Sequence, residues 1–264
     1  MASTYLTKTF SGAPTNAKKG TISVWFKLGA NDDNSNNNYY RIITTGADSV
    51  NRSDINITNP SYDGAATLNF TYYNTSSQED SLTTNFKFRD FGAYYHLVAA
   101  WDTTQSTASN RVKIYVNGNQ LTDFSTENYP EQNDDLHFGN NSTAHHIGNS
   151  PHFATRFFQG IMTHFHYCDG YTYQASDFGQ TDVTTGEWKI NTGPNVQYGN
   201  NGFFILKDSA SVTDQSGNSN NWTANGTLIT TKDNPSNNFA TLNPLVNNNT
   251  ALVYGNGSTT ITTS

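Results

Sequence analysis

Cysteine is all but missing. Cys168 is the single one in 264 residues, so no disulfide can form within the chain. Charge is scarce as well: Lys, Arg, Asp and Glu make up 13% of the residues, about half the usual share. Positive charge is the scarcer sign, with 14 basic against 21 acidic residues and a formal net charge of −7. No basic run exceeds Lys18-Lys19, which speaks against nucleic acid or an anionic membrane surface as a partner, because both need a basic patch. No apolar run approaches the roughly 18 residues of a membrane span. Met1 to Phe10 has no basic-then-apolar signal pattern. The expectation is a chain made and folded in a reducing cytoplasm. The sequons at Asn56-Ile57-Thr58 and Asn221-Trp222-Thr223 then follow from an Asn- and Thr-rich composition rather than from glycosylation.

A sustained 3.6-residue apolar period is also missing. What recurs is short β-type runs between turn-rich segments. Thr21–Lys27 alternates Ile22, Val24 and Phe26 on one face, and Arg41–Thr45 and Ala66–Tyr73 read the same way. Tyr94–Trp101 is the most apolar run and is expected as a central strand. Val112–Val116 alternates up to Asn117-Gly118, a strong hairpin signal because both turn positions need positive φ. Leu121–Phe124 is the expected return strand, and His145–Gly148, Gly160–Tyr167 and Gly202–Leu206 complete the series. Gln174–Phe178 is the one place for a helical turn. With 16 Phe, 15 Tyr and 4 Trp as packing units, this predicts an all-β sandwich or jelly roll with long Asn-rich loops. Trp25, Trp101 and Trp222 are expected in the core, and Cys168 as a small buried filler.

Tyr95–Phe124 (YHLVAAWDTTQSTASNRVKIYVNGNQLTDF), followed by His146-Ile147-Gly148 and Phe158-Gln159-Gly160-Ile161, resembles the laminin-G-like pattern of concanavalin A-like jelly rolls. The later succession is more specific: Asp214-Gln215-Ser216-Gly217-Asn218, Asn220-Asn221-Trp222-Thr223, then Asn238-Phe239-Ala240-Thr241-Leu242-Asn243-Pro244-Leu245. It is similar to a concanavalin A-like domain of virion and tail-fibre proteins of marine bacteriophages and some large aquatic viruses. The resemblance implies a jelly roll over 1–245 and a polar tail over 246–264, expected to dock on a neighbouring subunit. It implies a virion structural protein (tail fibre, appendage or capsid decoration) on the particle surface that contributes to host-glycan attachment. Its partners would be other virion proteins, copies of itself (a trimer suits a fibre) and host cell-surface polysaccharide. A pure assembly protein without glycan binding is the alternative, and a glycan depolymerase the minor one.

A glycan site needs aromatic faces with Asn, Asp and backbone groups for hydroxyls. The candidates are Tyr39 and Tyr40 beside the Asn-rich loop, Tyr72 and Tyr73, and Trp188 with Tyr198. Ca²⁺ is the cofactor the laminin-G resemblance suggests, with Asp32, Asp33, Asn34, Asp102, Asp134 and Asp135 as candidate ligands among ordinary turn-capping residues. His164-x-His166 places two imidazoles on one strand face if the strand is regular, with His145-His146 as further donors, although packed histidines explain them as well. A retaining glucanase needs two carboxyl groups about 5 Å apart. No strand run offers paired acids at i and i+2 or i+4; Glu79-Asp80 is read in a polar loop after Tyr73, and Glu127, Glu131, Asp134 and Asp135 in one turn-rich stretch, so no catalysis is expected.

Overall fold

The structure is a computed structural model that describes residues 4–29, 38–59, 66–74, 79–153, 156–207, 210–238, 252–255 and 260–263. The candidate calcium ligands Asp32, Asp33 and Asn34 lie outside the described residues. In chain order the strands begin β1 (Tyr5–Lys8), β2 (Lys19–Leu28), β3 (Tyr39–Asp48), β4 (Asn51–Thr58), β5 (Thr67–Tyr73) and β6 (Glu79–Lys87). There follow β7 (Tyr95–Asp102), β8 (Val112–Val116), β9 (Asn119–Leu121), β10 (Phe124–Glu127), β11 (His145–Ile147) and β12 (Gly160–Asp169). The last are β13 (Gly179–Thr181), β14 (Trp188–Ile190), β15 (Phe203–Ile205), β16 (Thr223–Asn225), β17 (Leu252–Gly255) and β18 (Thr260–Thr263). One short helix, α1 (Ala175–Phe178), precedes β13. Its capping box is closed by Gln174 and Asp177.

Two antiparallel sheets form the expected jelly-roll sandwich. One has eight strands in the order β10-β6-β5-β4-β3-β11-β1-β16, the other six in the order β15-β12-β2-β7-β8-β9. Side-chain alternation builds the core between them. The six-stranded sheet sends in Ile22, Val24 and Phe26 of β2 and Leu97, Ala99 and Trp101 of β7; the other sends in Ile55, Ile57, Leu68, Phe70 and Leu82. Trp101 lies 5.0 Å from Phe138 and stacks on Tyr167, and Trp222 plugs one end edge-on to Phe203 at 4.8 Å. The turn-rich segment ahead of Trp222 is held by Asp214, whose carboxylate accepts from the amides of Phe204, Ser216 and Asn220. These residues, prominent in the sequence, are structural.

β2 is buried on both faces. On its outer side Lys27 is fully covered and pairs with Asp233 at 2.9 Å and Asn238 at 2.7 Å, while Tyr94 donates to the Asp233 carbonyl. α1, the β13–β14 hairpin and the chain around Tyr198 cover much of that face through a second cluster of Val98, Tyr115, Cys168, Ala175 and Phe178. Cys168 is buried there and its thiol pKa is pushed up by burial. The expected return strand after Asn117-Gly118 is split: β9 pairs with β8, then the chain crosses over and β10 pairs with β6 in the other sheet. β17 pairs with β18 in a two-stranded sheet.

Candidate functional site

The outer face of the eight-stranded sheet is open across β3, β4, β5, β6 and β10, where it forms a groove of about 590 Å³. Strand register places its floor. Arg41 on β3 faces Asn56 on β4, Asn56 faces Asn69 on β5, and Asn69 faces Thr83 on β6. Because every second residue points the same way, Arg52, Asp54 and Asn56 of β4 share this face with Asn69, Thr71 and Tyr73 of β5. A register shift between Arg41 and Ile43 breaks the alternation of β3 next to Arg41.

The floor is one hydrogen-bonded chain. Arg41 Nη1 and Arg52 Nε both donate to the Asp54 carboxylate, the latter at 2.8 Å. Asn56 Nδ2 donates to Asp54 Oδ1 at 2.5 Å, Asn69 Nδ2 to Asn56 Oδ1 at 3.1 Å, and Thr83 Oγ1 to Asn69 Oδ1 at 2.7 Å. Such a chain fixes the direction of each amide, so the groove offers donors and acceptors at set positions. Its walls are aromatic. Tyr73 lies under the Arg52 guanidinium at 4.0 Å, and Tyr39 lies within 5.2 Å of that of Arg41. Phe153 packs against Arg156 at 3.8 Å. Asp54 is the single carboxylate among the described residues lining the groove.

The outer face of the other sheet holds a different constellation. His96 is buried between Trp25 at 4.7 Å and Trp188 at 6.0 Å. The Trp188 indole donates to His96 Nδ1 at 3.0 Å, so Nδ1 carries the lone pair and Nε2–H donates to Ser23 Oγ at 2.9 Å. In that tautomer the imidazole takes no proton from the serine, and Ser23 is wholly buried. Burial lowers the His96 pKa to about 3. The pair is packing. The opening that remains on this face is a smaller groove of about 330 Å³ between β7, β8 and the Thr172–Gln174 segment, against about 590 Å³ on the eight-stranded sheet.

Residues 3–170 match the laminin G family profile described as the concanavalin A-like lectin/glucanases superfamily. The chain belongs to that superfamily. Solved structures similar to it include a heptameric SAP-like pentraxin from Limulus polyphemus, 13% identical, with a TM-score of 0.45 over 79% of this chain and 91% of that one. The CBM40 domain of an IT-sialidase from Ruminococcus gnavus is 13% identical, with a TM-score of 0.39 over 64% of this chain and 90% of that one. Domains LG4-5 of the mouse laminin α1 chain are 9% identical, with a TM-score of 0.40 over 78% of this chain and 45% of that one. Among curated protein sequences no match is found.

In this superfamily member the aromatic residues singled out from the sequence separate by face. Tyr39 and Tyr73 line the groove. Tyr40 and Tyr72, one residue away in opposite directions, point inward and are core: Tyr40 has no exposed surface and donates to Asn59, and Tyr72 is buried beside His137. Neither has a free ring face for a sugar, which corrects the expectation for both. Trp188 and Tyr198 belong to the cover of the six-stranded sheet, where Tyr198 stacks on His166 and its hydroxyl lies 2.8 Å from His166 Nδ1. The three arginines, Asp54, Asn56, Asn69, Thr83 and Phe153 carried no signal in the sequence; they meet only through register.

The described calcium candidates do not fit a cation. The Asp102 carboxylate accepts from Thr104 and Gln105 and pairs with Lys19 at 3.2 Å. Asp134 accepts from the Glu131 amide, and Asp135 pairs with Lys18. Among the described residues no three His, Cys, Asp or Glu side chains converge as metal donors. The histidine pair also fails to form a face, because β12 shifts register between Thr163 and His166 with His164 at φ 48°. His166 instead stacks on Phe204 at 3.9 Å, while His145 accepts from the Gly139 amide and His146 stacks on Tyr5, both on the other sheet. A glycosidase needs a second carboxyl group beside Asp54, and among the described residues the groove has none.

Proposed function

We propose that the chain is a non-catalytic glycan-binding module whose site is the groove across β3 to β6, and that it is displayed on the surface of a virus particle. One observation carries the site: the continuous chain Arg41–Asp54–Asn56–Asn69–Thr83 on an open sheet face between Tyr39, Tyr73 and Phe153. Oriented amides and a hydroxyl match the donor–acceptor pairs of sugar hydroxyls, and the rings match the apolar face of a pyranose. Membership of a superfamily whose description includes lectins supports the same reading. The virion setting is supported by the succession Asn220-Asn221-Trp222-Thr223 and Asn238 to Leu245. Self-association, with the segment 246–264 docked on a neighbouring copy, would multiply a weak single site by avidity.

The test is binding of the purified protein to a panel of surface polysaccharides, with Ca²⁺ and with chelator. Saturable binding that survives chelation is expected. Binding lost on chelation would move the site to the acidic loops, and no binding with intact oligomers would leave an assembly protein that keeps the fold alone.

A further inference from the structure

The sequence is acidic and its basic residues are dispersed, yet the groove gathers three arginines. Arg41 and Arg52 come from adjacent strands, and Arg156 comes from the chain leading into β12. All three guanidiniums surround Phe153, at 5.4, 5.3 and 3.8 Å from its ring centre. Arg156 also lies 4.9 Å from the Tyr39 ring. Against these three charges stands one carboxylate, Asp54, and it is shared by Arg41 and Arg52.

Two features leave the cluster unsatisfied. Arg156 forms no ion pair with a carboxylate among the described residues. Arg41 is almost fully buried, and its Nε has no hydrogen-bond partner among the described residues. A buried N–H of a charged group left without an acceptor is costly. Burial first, and then the neighbouring arginines, hold the pKa of both Arg41 and Arg156 below the ordinary guanidinium value. An arrangement of this kind is stabilised by an anion that supplies the missing acceptors.

We infer that the groove takes an acidic glycan, in which a carboxylate or sulfate on the sugar is held by Arg156 and the Arg41 edge while neutral hydroxyls run along Asn56, Asn69 and Thr83. This rests on the glycan-binding reading and names the substrate class of that site. A nucleic acid fits less well. Tracking a phosphate backbone needs a continuous basic path, whereas this groove turns neutral beyond the arginines and the whole chain carries −7.

The experiment is affinity electrophoresis and titration calorimetry of the full chain with four polymers and a control. The polymers are a sulfated galactan, its desulfated product, a polyuronate and its carboxyl-reduced product; the control is a single-stranded oligonucleotide. At least one acidic polymer should bind about tenfold or more tightly than its neutral product, and added salt should weaken it. The arm that responds, sulfate or carboxylate, identifies the anion. Arg156→Gln should remove the preference with only a small change in melting temperature, because Arg156 holds no ion pair among the described residues and gives up only its ring contacts, and Arg156→Lys should restore part of the preference. Equal binding of acidic and neutral polymers overturns the inference and leaves the glycan-binding reading standing. No binding to any polymer overturns both. A preference that survives Arg156→Gln, or oligonucleotide binding as tight as that of the acidic glycan, places the anion elsewhere or reduces it to charge alone, and either result overturns the inference.

Discussion

Asp54 is wholly buried and accepts from Arg41, Arg52 and Asn56. Removing it leaves two buried guanidiniums uncompensated, which is far more costly than losing a surface pair. Asp54→Ala should lower stability by about 3–5 kcal/mol in urea unfolding; a loss below about 1 kcal/mol, the range of an exposed pair, would contradict the buried network. The histidines give a second expectation at this scale. Burial lowers His96 and His145 to about 3, against 6.5 for a free imidazole. The unfolded chain therefore takes up these protons first, so their contribution is complete above about pH 6.5 and is lost as pH falls toward 3. The slope approaches about 1.4 kcal/mol per pH unit for each histidine. Urea midpoints should already drop between about pH 6.5 and 5, before carboxylates titrate, and a flat midpoint there would contradict the burial of these rings. Of the residues themselves, Tyr39 and Tyr73 were visible in the sequence as aromatics near polar loops, but nothing separated them from Tyr40 and Tyr72. The face each occupies is set by strand register, which a list of residues does not contain.

The Asn117-Gly118 hairpin was fully legible as an element. Asn117 sits at φ 48° and Gly118 at φ 82°, as a two-residue turn with positive φ requires. What the sequence hid is that Trp188 packs on this turn: a Cβ at Gly118 would lie 2.6 Å from the indole. Gly118→Ala therefore combines backbone strain with a clash against the cover of the six-stranded sheet. It should cost about 2 kcal/mol or more and raise the fluorescence accessibility of Trp188; an unchanged midpoint would show that the cover does not rest on the turn. β4 and β6 escaped the sequence reading for one physical reason. Their inward positions are few, Ile55 and Ile57 on one and Leu82 on the other, and their outward positions are polar. A strand that lines a polar groove with few apolar residues on its other face loses the alternation that marks it, whereas β3 and β5, which also line the groove, keep enough inward apolar residues to be read. β9 and β10 were merged into one return strand because the crossing between sheets at Thr122-Asp123 leaves no distinctive residue pattern.

At the scale of the molecule, aromatic content and short alternating runs were enough to give the all-β sandwich, since a chain with few charges and many rings must bury them between sheets. The charge distribution was not legible in the same way. A net charge of −7 conceals a groove in which three arginines face one aspartate, because Arg156 lies far along the chain from Arg41 and Arg52 and only the fold joins it to them. The two sheets also divide the labour. The six-stranded sheet has much of its outer face covered by α1, β13, β14 and the Lys27–Asp233 pair and keeps a groove of about 330 Å³ beside β7 and β8, whereas the eight-stranded sheet leaves the larger one, about 590 Å³, across β3 to β6. The central claim is that this open face is the binding site. Hydrogen–deuterium exchange of the chain with and without a saturating bound polysaccharide tests it most directly. Protection should appear at the groove rim, in the Asp48–Asn51 turn, around Phe153 and Arg156, and at Thr126–Asn128, with the Asp182–Glu187 turn on the far side unchanged. Protection confined to the Trp188 and Tyr198 side, with the rim of the eight-stranded sheet unaffected, would contradict the account.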